Sequence, residues 1–203
     1  MKSLSEIETT VKRASRATGY SWGVSEETGK SIRLLELFSL PGIKHLNEYF
    51  NEKKKTKFEN LNVISGNNPP SNNPYCPITL GVSFLDQINV LENLKKIECK
   101  NIAYPIIFIS FLSRSSEIIG KKIYIKMDEK KILLNLNVNI TSNFIDEEFP
   151  KKANTIEINL LENKDNFLDD EWNNLYKLSE ETFVEESDSL KEGAAGAGLT
   201  DND

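Results

Sequence analysis

Residues 123–140 read IYIKMDEKKILLNLNVNI. Ile123, Ile125 and Met127 alternate with Tyr124 and Lys126. Ile132, Leu134, Leu136, Val138 and Ile140 alternate with Leu133, Asn135, Asn137 and Asn139. Successive side chains of an extended chain point to opposite faces, so this period of two predicts two strands. The polar run Asp128-Glu129-Lys130-Lys131 between them predicts a hairpin turn. Ile156, Ile158 and Leu160 repeat the alternation after a polar loop. Together they predict an antiparallel meander with one wet face.

Upstream of this sheet the same reading gives a further strand and several helices. Ile78, Leu80, Val82 and Phe84 alternate with Thr79, Gly81 and Ser83, which predicts a strand. A short helix is expected over residues 88–96. Residues 105–120 begin as PIIFISF, like a buried strand, and end as LSRSSEIIG, like a helix closed by glycine. The expectation is mostly helix. Residues 65–77, SGNNPPSNNPYCP, are a loop by composition.

The front of the chain is helical. Ser3 and Glu6 have capping-box spacing, as do Ser5 and Glu8, and Leu4, Ile7, Val11, Ala14 and Ala17 form one apolar face. Gly19 is a natural C-cap. The segment Gly19-Tyr20-Ser21-Trp22-Gly23 is expected to be a tight connector, with a second helix starting at Ser25 and ended by Pro41-Gly42. A shorter helix is expected over residues 43–51. At the other end, Phe167, Leu168, Trp172, Leu175, Tyr176 and Leu178 predict an amphipathic helix over residues 166–181.

The fold expected is therefore α+β. Two or three N-terminal helices pack on a mainly antiparallel sheet of four or five strands, followed by a C-terminal helix and a glycine-rich tail. One domain is expected over residues 1–184 and a glycine-rich acidic tail over 185–203.

At 203 residues the chain can bury an ordinary core without a disulfide or a metal. The two cysteines, Cys76 and Cys99, form no disulfide framework or zinc spacing. The opening MKSLSEIETT has no apolar signal region, and no apolar run approaches the roughly 20 residues of a membrane span. A cytoplasmic protein with free thiols is expected, with no membrane partner. Residues 1–57 carry 11 Lys or Arg against 7 Asp or Glu, whereas residues 162–203 carry 3 against 13. The acidic end argues against nucleic acid as a partner, because phosphate contacts need clustered cations. The one basic cluster, Lys53, Lys54, Lys55 and Lys57, has no interleaved aromatics and reads as a solvated loop.

His45 is the only histidine, which rules out a histidine-rich metal site and weakens any histidine-based triad. No metal ligands are assigned, and the cofactor question stays open. Cys76 sits in the constrained run Pro74-Tyr75-Cys76-Pro77, where a nucleophile is found when its thiol is activated; the alternative is a half-buried loop thiol. Tyr20 and Trp22 of the connector stand before a charged helix. Glu26 and Lys30 are four apart there, and Lys30 and Arg33 share a face, so Glu27, Lys30 and Arg33 mark a candidate anion site. The alternative is a packing joint with a solvated face. The tail holds Gly196, Gly198, Asp201 and Asp203. Its glycines lack the lysine and the strand–helix context of a phosphate loop.

The front SEIETTVKRASRATGYSWGVSEETGKSIRLLE, the central PYCPITLGVSFLDQ and the ending GAAGAGLTDND resemble a bacterial family known only as a domain of unknown function. The resemblance brings no activity. It implies that a site would draw on GYSWG, the Glu26–Arg33 face, the Cys76 loop and the tail.

Two classes of function remain open. One is a binding protein or enzyme for a small anionic metabolite, with the tail as a lid. The other is a non-catalytic interaction protein or accessory subunit, or a homo-oligomer, docking through the acidic tail. Whether the chain is catalytic is left open.

Overall fold

The computed structural model describes residues 2–137, 139–144 and 148–182. The chain falls into two compact units, 1–163 and 164–203. The first holds α1 (Leu4–Ala17), α2 (Trp22–Leu37), α3 (Gly42–Lys53), α4 (Pro77–Leu91), β1 (Ile97–Ala103), α5 (Pro105–Ile119), β2 (Ile123–Met127), β3 (Lys130–Asn135), β4 (Asn139–Ser142) and β5 (Lys152–Leu160). The second holds α6 (Asp169–Glu180). The fold is α+β.

The five strands form one antiparallel sheet in the order β1-β5-β2-β3-β4. Its inner face buries Ile97, Cys99, Ile123, Ile125, Ile132, Leu134, Ile156 and Ile158. Its outer face carries ion pairs such as Lys100–Glu98 at 3.0 Å. The wet face is thus as the alternation predicts. Only β2, β3 and β4 follow one another as a meander. β5 crosses back and pairs with β2 on one side and β1 on the other, so the expected simple meander is corrected.

The expected strand over residues 132–140 is two strands. Leu136 and Asn137 both adopt positive φ, at 52° and 58°, which turns the chain so that Asn135 pairs with Asn139. Asparagine tolerates the left-handed region better than most residues, and the alternation runs through the turn unbroken. The strand β1 was not expected, although Ile97 and Cys99 alternate with Glu98 and Lys100.

The largest correction is α4. Residues 78–84 are helical, and the separate helix expected over 88–96 is the end of this same helix followed by the turn into β1. The reason is that α4 is buried on two sides. Ile78 joins the core of the N-terminal helices, while Leu80, Phe84, Ile88 and Leu91 join the core under the sheet. A helix apolar on two faces imitates alternation over seven residues. Gly81 is required because a β-carbon there would stand 2.3 Å from the Phe111 ring, which is how α4 approaches α5 so closely.

Helix α5 is helical throughout and buried on almost every side, from Pro105 to Ser116. It contributes Phe108, Ile109 and Leu112 to the core beneath the sheet and Ile106, Ile107 and Phe111 to the core of the N-terminal helices. The layer facing the sheet is therefore α4 with α5, and α1–α3 pack on its far side. Gly120 at φ 64° caps α5 in the left-handed conformation.

At the front, the Ser3 side chain caps α1 by accepting the Glu6 N–H at 3.1 Å. Helix α2 begins three residues earlier than the expected Ser25, because Ser21 is the cap, accepting the Val24 N–H at 3.3 Å. The connector is thereby shortened to Thr18–Ser21, turned by Gly19 at φ 98°. Among the described residues no helix is long and apolar enough to cross a membrane. In the second unit, every described side chain of α6 is exposed, and Phe167 stacks on Trp172 with centroids 5.6 Å apart.

Candidate functional site

Three elements of the first unit meet at the floor of one cleft. Gly19 lets the chain turn out of α1, and the Arg16 guanidinium fixes the turn by donating to the Tyr20 carbonyl at 2.8 Å. Tyr20 then points inward and is buried. Helix α3 brings Tyr49, whose side chain is fully buried against Phe50, Phe58 and Tyr104. Cys76, 3% exposed, is the N-cap of α4, with Pro77 in the first helical position where a missing N–H costs nothing.

The Cys76 backbone is held on both sides. Its N–H donates to the Glu59 carbonyl at 2.8 Å, and the neighbouring Tyr75 exchanges bonds with Asn101 and Ala103 of β1 at 2.7 and 3.1 Å. The thiol therefore sits on a clamped segment rather than a loose loop.

The Tyr49 hydroxyl donates to Cys76 Sγ at 2.9 Å, and the Thr79 N–H donates to the same sulfur at 3.4 Å. The Tyr20 hydroxyl lies 2.8 Å from the Tyr49 oxygen and 3.3 Å from Sγ. Burial pushes both phenols well above their ordinary pKa, so both keep their protons and can donate. Lys53, one turn after Tyr49 on α3, places its ammonium 3.7 Å from the centre of the Tyr20 ring and donates to the Thr18 carbonyl at 3.3 Å. Burial lowers its pKa. Among the described residues Lys53 makes no ion pair. The cleft above these groups has a volume of about 460 Å³ and is lined further by Lys57, Thr56, Asn60 and Thr79.

A second polar pocket of about 280 Å³ lies between α2 and α5, lined by Lys30, Arg33, Arg114, Glu117 and Asn137. Its cations are matched to carboxylates. Arg114 binds the Glu27 side chain and donates to the Glu27 carbonyl and to Ser31 Oγ, both at 3.1 Å. Lys30 lies 3.1 and 3.0 Å from Glu26 and Glu27, and Arg33 lies 3.3 Å from Glu8. The hydrogen bond from Lys12, with that from Lys30, holds Glu26 down at about 2. Burial works to raise Glu27, but Arg114 and Lys30 outweigh it and the carboxyl ends below its ordinary value.

The structure thus divides the residues singled out from sequence. Tyr20 and Cys76 are in direct contact. Glu27, Lys30 and Arg33 gather at the other pocket. Trp22 joins neither lining; it is 58% exposed, with the Arg16 guanidinium 5.5 Å from its ring centre. Gly196, Gly198, Asp201 and Asp203 lie outside the described residues.

Sequence reading missed Tyr49 and Lys53. The run Lys53, Lys54, Lys55 and Lys57 reads as solvated, whereas Lys53 is half-buried and closes α3. The available signal was the spacing of four between Tyr49 and Lys53, which puts them on one helical face. The two remaining titratable candidates are structural. His45 is buried edge-on to Tyr104, and burial lowers its pKa. Cys99 is buried under the sheet, where burial pushes its thiol up to about 12.

The fold and cleft define an α+β protein with a buried thiol–phenol cluster beneath a half-buried lysine. Residues 2–75 match a family described as "Protein of unknown function (DUF3726)", a match that takes in α1–α3 and stops one residue before Cys76. No curated protein and no solved structure matches the chain.

Proposed function

We propose that this chain binds a small anionic molecule in the cleft between the Gly19–Ser21 connector, the end of α3 and the start of α4. One observation carries the reading: Lys53 brings a partly desolvated ammonium to the cleft with no carboxylate of the described chain to balance it. An ammonium held by a carbonyl and a ring face still lacks a countercharge, and an anion supplies it. The first turn of α4 adds to the attraction, since a helix N-terminus favours negative charge. The Lys30–Arg33–Arg114 pocket is the weaker candidate, because an incoming anion there competes with Glu8, Glu26 and Glu27 for the cations.

The rest of the reading is also proposed. The protein is cytoplasmic, of a bacterial family marked by its GYSWG segment and glycine-rich end, and works without nucleic acid. The C-terminal segment acts as a lid.

The test is thermal unfolding in phosphate, sulfate and malonate. Saturation at a hundredfold excess over Kd should raise Tm by about 5 °C. Lys53→Met should fold normally and lose that response, whereas Arg33→Ala should keep it. A chain ending at Lys191 should respond more weakly if the C-terminal segment covers the ligand. An undiminished response in Lys53→Met would end the proposal.

A second reading, a non-catalytic protein that docks on a partner, is favoured by one observation. Helix α6 exposes Trp172, Leu175 and Tyr176 beside the acidic first turn Asp169-Asp170-Glu171. Self-association that disappears in Trp172→Ala would favour it.

A further inference from the structure

We infer that Cys76 is a nucleophile toward small carboxylates that carry an electrophilic carbon, with Lys53 holding the carboxylate and Tyr20 and Tyr49 moving the thiol proton. The inference rests on the anion site proposed above and adds to it the class of ligand and a covalent step.

Three groups, Tyr20, Tyr49 and Cys76, make three mutual contacts, and each group owns one proton. Tyr49 gives its proton to Sγ at 2.9 Å. The 2.8 Å contact between the two phenols can then be filled only by the Tyr20 proton. The 3.3 Å contact between Tyr20 and Sγ is left for the thiol proton. Within this closed ring each member donates once and accepts once, and Sγ takes the Thr79 N–H in addition.

A purely structural thiol in an apolar core needs no such ring, and the same chain provides the contrast. Cys99 is as deeply buried, and the contact its sulfur makes is with Asn68 Nδ2 at 3.6 Å. Cys76 instead lines an open cleft, accepts a helix N-terminal N–H, and shares that cleft with Lys53. Groups arranged in this way can take a proton from sulfur at one point of the ring and deliver one at another.

With an aldehyde or ketone carbonyl beside the carboxylate, the S–C bond forms as the C=O π bond breaks. The thiol proton passes to Tyr20, Tyr20 passes its own to Tyr49, and Tyr49 protonates the new alkoxide. Tyr49 no longer has to donate to a sulfur that is now bonded to carbon. The product is a hemithioacetal or its ketone counterpart, both phenols are neutral again, and no oxidant or reductant is consumed.

The experiment uses the full chain and two alkylating reagents that differ in charge, iodoacetate and iodoacetamide. In both reactions the S–C bond forms, iodide leaves with its electron pair, and the thiol proton reaches water through the phenols. The modified residue is located by peptide mass, with Cys99 as the internal reference. Rates are compared with those of a small free thiol under the same conditions. The iodoacetate-to-iodoacetamide rate ratio at Cys76 should exceed that of the free thiol by about tenfold, the effect of one near and partly desolvated cation. Phosphate should protect Cys76 from iodoacetate. Lys53→Met should bring the ratio back to that of the free thiol while iodoacetamide still labels Cys76. Tyr49→Phe should slow both reagents and leave the ratio raised.

Cys76 unlabelled by either reagent in the folded protein would overturn this inference. If phosphate still stabilised the wild type but not Lys53→Met, the anion site would survive alone. A ratio equal to that of the free thiol, with no stabilisation or protection by phosphate, would sink both readings together.

Discussion

The two polar pockets of the first unit use similar residues to opposite ends. Between α2 and α5, Lys30, Arg33 and Arg114 are each bound to a carboxylate of the chain, and Arg114 also donates to a carbonyl and a serine hydroxyl. At the start of α4, Lys53 lies over a phenol ring, and the cleft around it is lined by hydroxyls, a thiol, the Asn60 amide and Lys57, which pairs with Glu59 at 3.5 Å. A satisfied ion-pair network ties two helices together and resists an outside anion. A cation held by a carbonyl and a ring face, with no countercharge among the described residues, has an interaction left to make. Counting cations in a pocket does not distinguish these cases, but tracing each one to its partner does.

The largest effect is expected from removing Glu27. Its loss leaves Arg114, only 17% exposed, without a countercharge, and should lower stability by about 2 kcal/mol, read as a shift in the denaturant midpoint. An unchanged midpoint would mean that the α2–α5 network is not holding the helices.

A smaller effect is expected from Tyr49→Phe. It leaves the buried Tyr20 hydroxyl without its acceptor and the sulfur without its strongest donor, for a loss of about 1 kcal/mol. Phenylalanine fills the same space, so a much larger loss would show that the ring is mainly a structural device.

The smallest expected effect is in acid. Glu26, held at about 2 against an ordinary 4.5, and Glu27, also lowered, favour the charged form in the folded protein. Their contribution is complete above about pH 4.5 and fades as pH falls toward 2. The denaturant midpoints of wild type and Glu27→Ala should therefore draw together over that window, while those of wild type and Lys53→Met stay parallel. Curves that keep their spacing into acid would remove the carboxylates from the account.

The legible parts of the fold were those governed by neighbours in sequence. Ser3 and Glu6 mark the start of α1, Gly19 its end and Gly120 the end of α5. The hairpin β2–β3 follows from alternation around a polar turn. The candidate site was half legible. Tyr20 and Cys76 stood out because each lies in a constrained turn, but Tyr49 looked like any aromatic on an amphipathic helix, and Lys53 was hidden in a run of lysines.

The same division explains the error at α4. Cys76 and Pro77 carry a legible start signal, a side-chain cap followed by proline. The alternating apolar residues after it pointed the other way, and only packing between two cores settled which pattern governed.

By itself, the sequence determined most of the segments in which one face alone is apolar, β1 excepted, because caps, turns and periodicity are local physics. The tertiary structure decided three things: that α4 is a helix, that β5 lies between β1 and β2, and that Tyr20, Tyr49 and Cys76 lie within hydrogen-bond distance of one another. Each depends on which surfaces meet across long stretches of chain, and burial of those surfaces, rather than local preference, fixes the outcome.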